Sequence, residues 1–165
     1  MLADLRPRIG GPNQPEGVAQ ARDFTPSPGN TRHQRVLVVD DESLVRWSLA
    51  ETLSAKGFEV AEAGDASSAI AALLSTDRRI AAVLLDVYLP DAHDLRVLKA
   101  LRQMAPDTPV ILMTAHGSPE LSAEAIRLGA FSVLDKPFEL DTLAPVVERA
   151  IATGIPMIPR ASSLY

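Results

Sequence analysis

The stretch Arg-Val-Leu-Val-Val-Asp-Asp-Glu at residues 35–42 decides how the rest of the chain is interpreted. Its four consecutive apolar residues are too few for a helix, and they lack the alternation of a strand with one face in water. A strand that is buried on both faces of a parallel sheet has this pattern. Open parallel sheets bind ligands at the carboxyl ends of their strands, so we expect the acids that end the run to lie at a functional edge.

Those acids, Asp40, Asp41 and Glu42, indicate which kind of ligand that edge can bind. Nucleotide-binding folds place glycines at this position, because backbone N–H groups then cradle phosphate. Carboxylates would instead repel phosphate and attract a hard cation such as Mg²⁺. The first strand therefore predicts a metal site.

Composition bounds the class of protein. The chain has 165 residues, the length of one ordinary domain with some excess, and it contains no cysteine, which excludes disulfides and cysteine-built metal sites. Its net charge of −5 argues against nucleic acid or an anionic membrane as the main partner. No apolar run approaches the roughly 18 residues of a membrane span. We expect a cytoplasmic protein with neither a nucleic-acid nor a membrane partner.

Proline and glycine mark the predicted domain boundaries. Residues 1–34 contain five prolines and four glycines among apolar residues without a period. Because such a segment cannot bury enough surface to offset its ordering entropy, we predict a disordered leader, with a short docking motif inside it as the alternative. Residues 35–153 are the predicted domain, and residues 154–165 are a short tail.

From residue 35 onward, strand and helix patterns alternate five times. The predicted strands after the first are residues 58–61, 80–85, 109–113 and 131–134. Apolar stripes predict a helix after each strand, including Leu44, Val45, Leu49 and Leu53 in the first and Ala69, Ile70, Leu73 and Leu74 in the second. Asp65 and Ser118 are predicted N-caps. We therefore predict an α/β fold, a doubly wound (βα)5 unit with a five-stranded parallel sheet.

Polar residues at other strand ends extend the predicted site. Asp86 follows the third strand, Thr114 ends the fourth and Lys136 follows the fifth. Helix capping would explain Asp41 or Asp86 alone. Three carboxylates brought together, Asp40, Asp41 and Asp86, are most simply explained by a divalent cation, Mg²⁺ or Mn²⁺. A metal and a lysine neutralise phosphoryl oxygens, a threonine donates a hydrogen bond, and an aspartate can attack phosphorus. These residues together predict a phosphoryl site.

The chain resembles the receiver domain of two-component response regulators, the CheY-like superfamily, over about residues 35–153. The resemblance rests on Val-Val-Asp-Asp at 38–41, Leu-Leu-Asp-Val-Tyr-Leu-Pro at 84–90, Thr-Ala at 114–115 and Lys-Pro-Phe at 136–138. It implies a flavodoxin-like sheet with the strand order 2-1-3-4-5.

The resemblance also implies a role for each site residue. Asp86 would accept a phosphoryl group from a sensor histidine kinase or a histidine phosphotransfer protein. Lys136 would pair with a phosphoryl oxygen, and Thr114 would move to bond another. Mg²⁺, with Mn²⁺ possible in its place, would be held by Asp40, Asp41, Asp86 and the backbone carbonyl of Tyr88.

Two positions depart from the family pattern. Val133 stands three residues before the lysine, where the family usually has an aromatic ring that turns inward when the threonine moves. A valine has no such swing, so the usual readout through the fourth helix, fifth strand and fifth helix is in question. Asp94 stands where a glycine is usual in the turn after Pro90, and aspartate tolerates left-handed geometry better than most residues.

The predicted function is that of a stand-alone, single-domain regulator in a phosphorelay. About a dozen residues follow the last helix, so the output is expected to be a downstream protein partner and not an enzyme activity. The alternatives are a non-switching scaffold and a phosphate sink for a kinase. A Mg²⁺-dependent aspartyl-phosphate phosphatase of the haloacid dehalogenase type is disfavoured, because it needs two aspartates one residue apart, whereas Asp40 and Asp41 are adjacent.

Overall fold

A computed structural model of the protein describes residues 34–75 and 77–154. In these residues five strands alternate with five α-helices. The strands are β1 Arg35–Val39, β2 Glu59–Ala63, β3 Ile80–Asp86, β4 Val110–Thr114 and β5 Ser132–Asp135. The helices are α1 Ser43–Ala55, α2 Ala66–Leu74, α3 Arg96–Met104, α4 Pro119–Arg127 and α5 Leu143–Thr153, and a 3-10 turn at Leu140–Thr142 precedes α5. The predicted leader and tail lie outside the described residues apart from their inner ends.

All neighbouring strands pair in parallel, in the order β2-β1-β3-β4-β5. The predicted (βα)5 architecture and strand order are therefore confirmed. The predicted strand ends are displaced by one or two residues, as for β2, which begins at Glu59 and continues to Ala63. Such shifts arise because a strand end depends on pairing with its neighbour, which a local apolar pattern does not encode.

The sheet is buried on both faces. Leu37 and Val39 of β1 face the layer formed by α2, α3 and α4, whereas Val36 and Val38 face α1 and α5, and all four are fully buried. Two-sided burial explains the continuous apolar run of the first strand. Each buried valine or leucine side chain contributes about 1.5–3 kcal/mol to the folded state.

Both predicted N-caps are confirmed, and a glycine and a proline mark two further helix ends. Asp65 accepts a hydrogen bond from the backbone N–H of Ser68 at 2.7 Å, and Ser118 accepts one from Leu121 at 3.1 Å. Gly57, after α1, has a φ of 92°, the left-handed geometry that glycine adopts without strain. Pro145 lies in the first turn of α5, where its missing N–H has no helical partner to lose.

Two leucines predicted on the apolar stripes are exposed instead. Leu44 is 80% exposed and Leu74 is 64% exposed. Leu44 is the second residue of α1, and Leu74 is the last residue of α2. In the same turns, Val45 of α1 and Leu73 of α2 pack against the core. The apolar character of two adjacent residues does not say which of them faces the sheet. In the described part of the chain, no helix is long and apolar enough to cross a membrane.

Candidate functional site

Four of the predicted site residues stand at the carboxyl ends of four adjacent strands. Asp40 follows β1, Asp86 ends β3, Thr114 ends β4 and Lys136 follows β5. Because these strands are neighbours in the sheet, their ends form one row at one edge. The fold therefore brings together residues that are up to 96 positions apart in sequence.

Lys136 bridges two acids across this row. Its Nζ donates to Oδ2 of Asp40 at 2.6 Å and to Oδ2 of Asp86 at 3.0 Å. Burial by itself lowers the pKa of Lys136, but the hydrogen bonds and charges of the two carboxylates outweigh it and raise the pKa above its ordinary value. The ammonium is therefore charged throughout the neutral range.

Backbone N–H groups orient the other oxygen of each acid. Oδ1 of Asp40 accepts from the N–H of Glu42 at 2.9 Å, and Oδ1 of Asp86 accepts from the N–H of Tyr88 at 3.2 Å. Asp40 is fully buried, and Asp86 is 6% exposed. These bonds fix the orientation of both carboxylates.

The acids suit a divalent cation. Oxygens of Asp40, Asp41 and Asp86 lie within 4.8 Å of one another. Asp41 is exposed, and its carboxylate has no hydrogen bond or ion pair to any residue that the structure describes. Among the described residues, Lys136 is the one ammonium bonded to these three carboxylates, so their formal negative charge exceeds its positive charge by two. Hard oxygens carrying that charge fit Mg²⁺, which when bound neutralises phosphoryl oxygens.

Thr114 anchors the loop that connects β4 to α4. Its side chain is fully buried, and its Oγ1 accepts a hydrogen bond from the backbone N–H of His116 at 3.2 Å. Its carbonyl accepts from the N–H of Lys136 at 2.8 Å. The hydroxyl is thus placed at the acidic edge and is connected through the backbone to the lysine.

Sequence reasoning did not identify Arg46 as a supporting side chain, and it noted Asp94 without recognising its role as a cap. Arg46 of α1 donates to the carbonyl of Asp40 at 2.7 Å and to Glu62 at 3.1 Å, and no local pattern marks that contact. Asp94 accepts from the backbone N–H of Arg96 at 2.8 Å at the start of α3. An aspartate two residues before a helix is a capping signal that could have been recognised, and capping accounts for an acid where a glycine was expected.

A groove opens beside the acidic edge. It has a volume of about 530 Å³, and its lining includes Leu44, Ala115, Lys136, Phe138 and Leu140. On the other side of the edge, the rings of Tyr88 and His116 meet edge to face with centroids 6.0 Å apart. The acidic edge is thus approached between an apolar groove and an aromatic pair.

The family model of the response regulator receiver domain matches residues 36–148. The chain belongs to this family. The receiver fold that the residues around Asp40, Asp86 and Lys136 indicated is therefore established, and receiver domains take their phosphoryl groups from histidine kinases.

Curated relatives of this receiver domain include longer regulators. The regulatory protein AtoC of Escherichia coli is 40% identical over 121 residues, which cover 73% of this chain and 26% of AtoC. The DNA-binding transcriptional regulator NtrC of Salmonella typhimurium is 38% identical over 117 residues, covering 71% of this chain and 24% of NtrC. The chain thus spans about a quarter of the length of these two relatives.

A solved structure shows the same domain. The receiver domain of NtrX from Brucella abortus is 40% identical, with a TM-score of 0.66, and the match covers 72% of this chain and 98% of that one. The receiver domain accounts for nearly all of the residues that the structure describes.

Proposed function

We propose that this receiver domain accepts a phosphoryl group on Asp86 from a phosphohistidine donor, in a Mg²⁺-dependent reaction in the cytoplasm. The observation that carries the proposal is the bridge from Lys136 to both Asp40 and Asp86, beside a third carboxylate that has no partner among the described residues. A structural ion pair needs one acid for one lysine, whereas this cluster has two negative charges in excess.

The transfer follows from the position of Asp86. An oxygen of its carboxylate forms a bond to phosphorus while the bond from phosphorus to the donor imidazole breaks, and the imidazole leaves with the electron pair. Lys136 lies 3.0 Å from the carboxylate and would offset charge on a phosphoryl oxygen. Asp40, Asp41, Asp86 and the Tyr88 carbonyl would hold Mg²⁺; Mn²⁺, also a hard cation, is expected to replace it.

The proposed output is changed binding to a protein partner. The Thr114 hydroxyl would bond the new phosphoryl group and draw with it the loop that begins at Ala115, which shifts a two-state equilibrium. The domain itself would catalyse no reaction on a separate substrate. We propose a stand-alone role, in which the domain signals through this protein partner and not through further domains such as those of its longer relatives.

A second candidate is a phosphate sink or scaffold that does not switch. Val133 favours it, because Val133 occupies the position of the aromatic ring whose movement the family usually couples to the threonine. This candidate keeps the chemistry at Asp86 but predicts that partner affinity does not change on phosphorylation.

Beryllofluoride, a mimic of the phosphoryl group, tests the proposal. We expect fluorine NMR to detect one bound beryllofluoride in the wild-type protein with Mg²⁺, and none in Asp86→Asn or after addition of EDTA. Equal binding to Asp86→Asn would contradict the assignment of Asp86. Comparing partner affinity with and without beryllofluoride then separates the switch from the sink.

A further inference from the structure

Asp91 ties the loop after β3 to the start of α2, a contact that the phosphoryl chemistry does not itself require. Its Oδ1 accepts from the backbone N–H of Ala66 at 2.8 Å. Its Oδ2 accepts from the backbone N–H of Ser67 at 3.1 Å and from the Ser67 hydroxyl at 3.0 Å. One exposed carboxylate thus makes three hydrogen bonds to an element 24 or 25 residues earlier in the chain.

The segment around Asp91 is stiff. Leu89 and Ala92 exchange two backbone hydrogen bonds, at 2.8 and 3.1 Å, and close a four-residue turn with Pro90 and Asp91 at its centre. Leu89 is 1% exposed and packs in the core. Tyr88, whose carbonyl is the proposed metal ligand, immediately precedes this turn. We therefore expect a displacement of Asp91 to shift Tyr88 through this hydrogen-bonded turn.

The same region also supports the other acidic loop. The backbone N–H of Asp40 donates to the carbonyl of Ala63 at 3.1 Å. Arg46 connects the carbonyl of Asp40 to Glu62. We define residues 62–67 as the β2–α2 junction. It contacts the acidic loop after β1 on one side and, through Asp91, the loop after β3 on the other.

We propose that Asp91 is a positioning residue for the metal site, clamping the Tyr88 loop to the β2–α2 junction so that the Tyr88 carbonyl stays aligned with Asp40, Asp41 and Asp86. This inference rests on the proposed Mg²⁺-dependent function. A metal that prefers near-ideal octahedral geometry is sensitive to displacement of one ligand, so loss of the clamp weakens binding.

Asp65 provides a matched control. It caps the same helix, because its carboxylate accepts from the backbone N–H of Ser68 at 2.7 Å and from the Ser68 hydroxyl at 2.6 Å. Unlike Asp91, it belongs to the helix that it caps and makes no hydrogen bond to the Tyr88 loop among the described residues. Replacing Asp65 removes helix capping alone, whereas replacing Asp91 removes capping together with the clamp.

The experiment compares Asp91→Ala and Asp65→Ala in the full chain. Calorimetric titration with Mg²⁺ gives the Kd, and thermal unfolding in EDTA gives the Tm of each protein without metal. We expect both variants to lower the Tm, but Asp91→Ala alone to raise the Kd, by about 3- to 10-fold, less than the 10- to 100-fold typical of a direct partner of a ligand. Asp91→Asn, which keeps one acceptor oxygen, should fall between wild type and Asp91→Ala, and its Kd decides the question if Asp91→Ala does not fold.

Three results would overturn the inference. An unchanged Kd in the Asp91 variants would mean that Asp91 only caps α2. An equal rise in the Kd of Asp65→Ala would assign the effect to helix stability instead of the clamp. Failure of the wild-type protein to bind Mg²⁺ would overturn the proposed function as well, so the two failures are distinguished within one titration series.

Discussion

Gly117 lies where the loop after β4 meets the end of β5. A Cβ built at this residue would stand 1.9 Å from Oδ1 of Asp135 and 3.3 Å from Cγ2 of Thr114. Glycine therefore lets the loop that carries the threonine lie against the strand that leads to Lys136. Glycine is needed here because a larger residue would clash, and the nearest atom in that clash belongs to the exposed side chain of Asp135.

That contact predicts that Gly117→Ala lowers stability only while the Asp135 side chain is present. Gly117→Ala should destabilise the protein by about 1 kcal/mol, the low end of the cost of overpacking, because Asp135 must turn away. In an Asp135→Ala background the same change should be neutral or stabilising, because alanine reduces the entropy of the unfolded chain. Urea unfolding of the four proteins in this double-mutant cycle measures the coupling. Equal costs in both backgrounds would show that the clash is with another group.

A second prediction at the residue scale concerns the stability that Lys136 contributes with and without Mg²⁺. Removing one partner of a buried ion pair leaves charge uncompensated, so Lys136→Ala should cost about 3 kcal/mol in EDTA. Mg²⁺ should restore more stability to this variant than it adds to the wild-type protein, because it replaces the missing cation beside Asp40 and Asp86. Unfolding free energies with and without Mg²⁺ measure both effects. Lys99→Ala, at an exposed position of α3, is the control and should change neither.

At the residue scale, the sequence identified residues that meet at the acidic edge, but it did not identify the side chains that hold the surrounding loops in place. Asp40, Asp86 and Lys136 were recognisable because ionisable groups at the ends of apolar strands have no packing role. Arg46 and Asp91 were not, because their contacts depend on how the first helix and the β3–α3 loop approach other elements. Residue type and strand position encode the first set, and tertiary geometry creates the second.

At the scale of the element, the N-cap of α2 predicts how the stability contributed by Asp65 depends on pH. Hydrogen bonds from the side chain and backbone of Ser68 hold the pKa of Asp65 below its usual value. Its stabilising effect is therefore complete above the unfolded pKa of about 3.9 and is lost as the pH falls through the lower folded pKa. The Tm difference between wild type and Asp65→Ala should stay constant from about pH 7 to 5 and shrink below about pH 4. A difference that grows on acidification would contradict this capping role.

The first turn of α1 predicts where the phosphodonor docks. Leu44 is exposed and lines the groove that reaches Lys136. If the donor protein covers this groove, Leu44→Glu should slow phosphoryl transfer from a histidine kinase at least about tenfold, the effect of losing about 1.4 kcal/mol of contact. Transfer from a small phosphodonor such as acetyl phosphate should be unchanged. Leu74→Glu, an equally polar change at an exposed leucine of α2, is the control and should affect neither rate.

Helix periodicity predicted which elements form but not how each one ends. The stripe through Leu49 and Leu53 is buried as expected, whereas Leu44 one turn earlier is exposed. Leu44 and Val45 are both apolar, but Val45 packs against the core and Leu44 does not, and residue type alone does not distinguish them. Leu44, which departs from the predicted core, is also the residue that lines the groove where we expect the phosphodonor protein to bind.

At the scale of the whole molecule, the receiver fold could be predicted from the sequence, whereas the signal output could not. The five βα units follow from the alternating strand and helix patterns, and right-handed crossovers favour a parallel sheet. The strand order is implied by the resemblance to receiver domains and not by the strands themselves. Val133 leaves the coupling from Thr114 to the face of α4, β5 and α5 without its aromatic ring. The proposed phosphorylation of Asp86 and the proposed signal output therefore need separate tests, and the phosphorylation is tested first.

Intact-mass spectrometry tests that chemistry most directly. The protein is incubated with acetyl phosphate and Mg²⁺, beside Asp86→Asn and a sample in EDTA. We expect one added phosphoryl group in the wild-type protein with Mg²⁺ and none in either control. An adduct that persists in Asp86→Asn, or the absence of both an adduct and beryllofluoride binding in the wild-type protein, would contradict the central claim that Asp86 is a Mg²⁺-dependent phosphoryl acceptor.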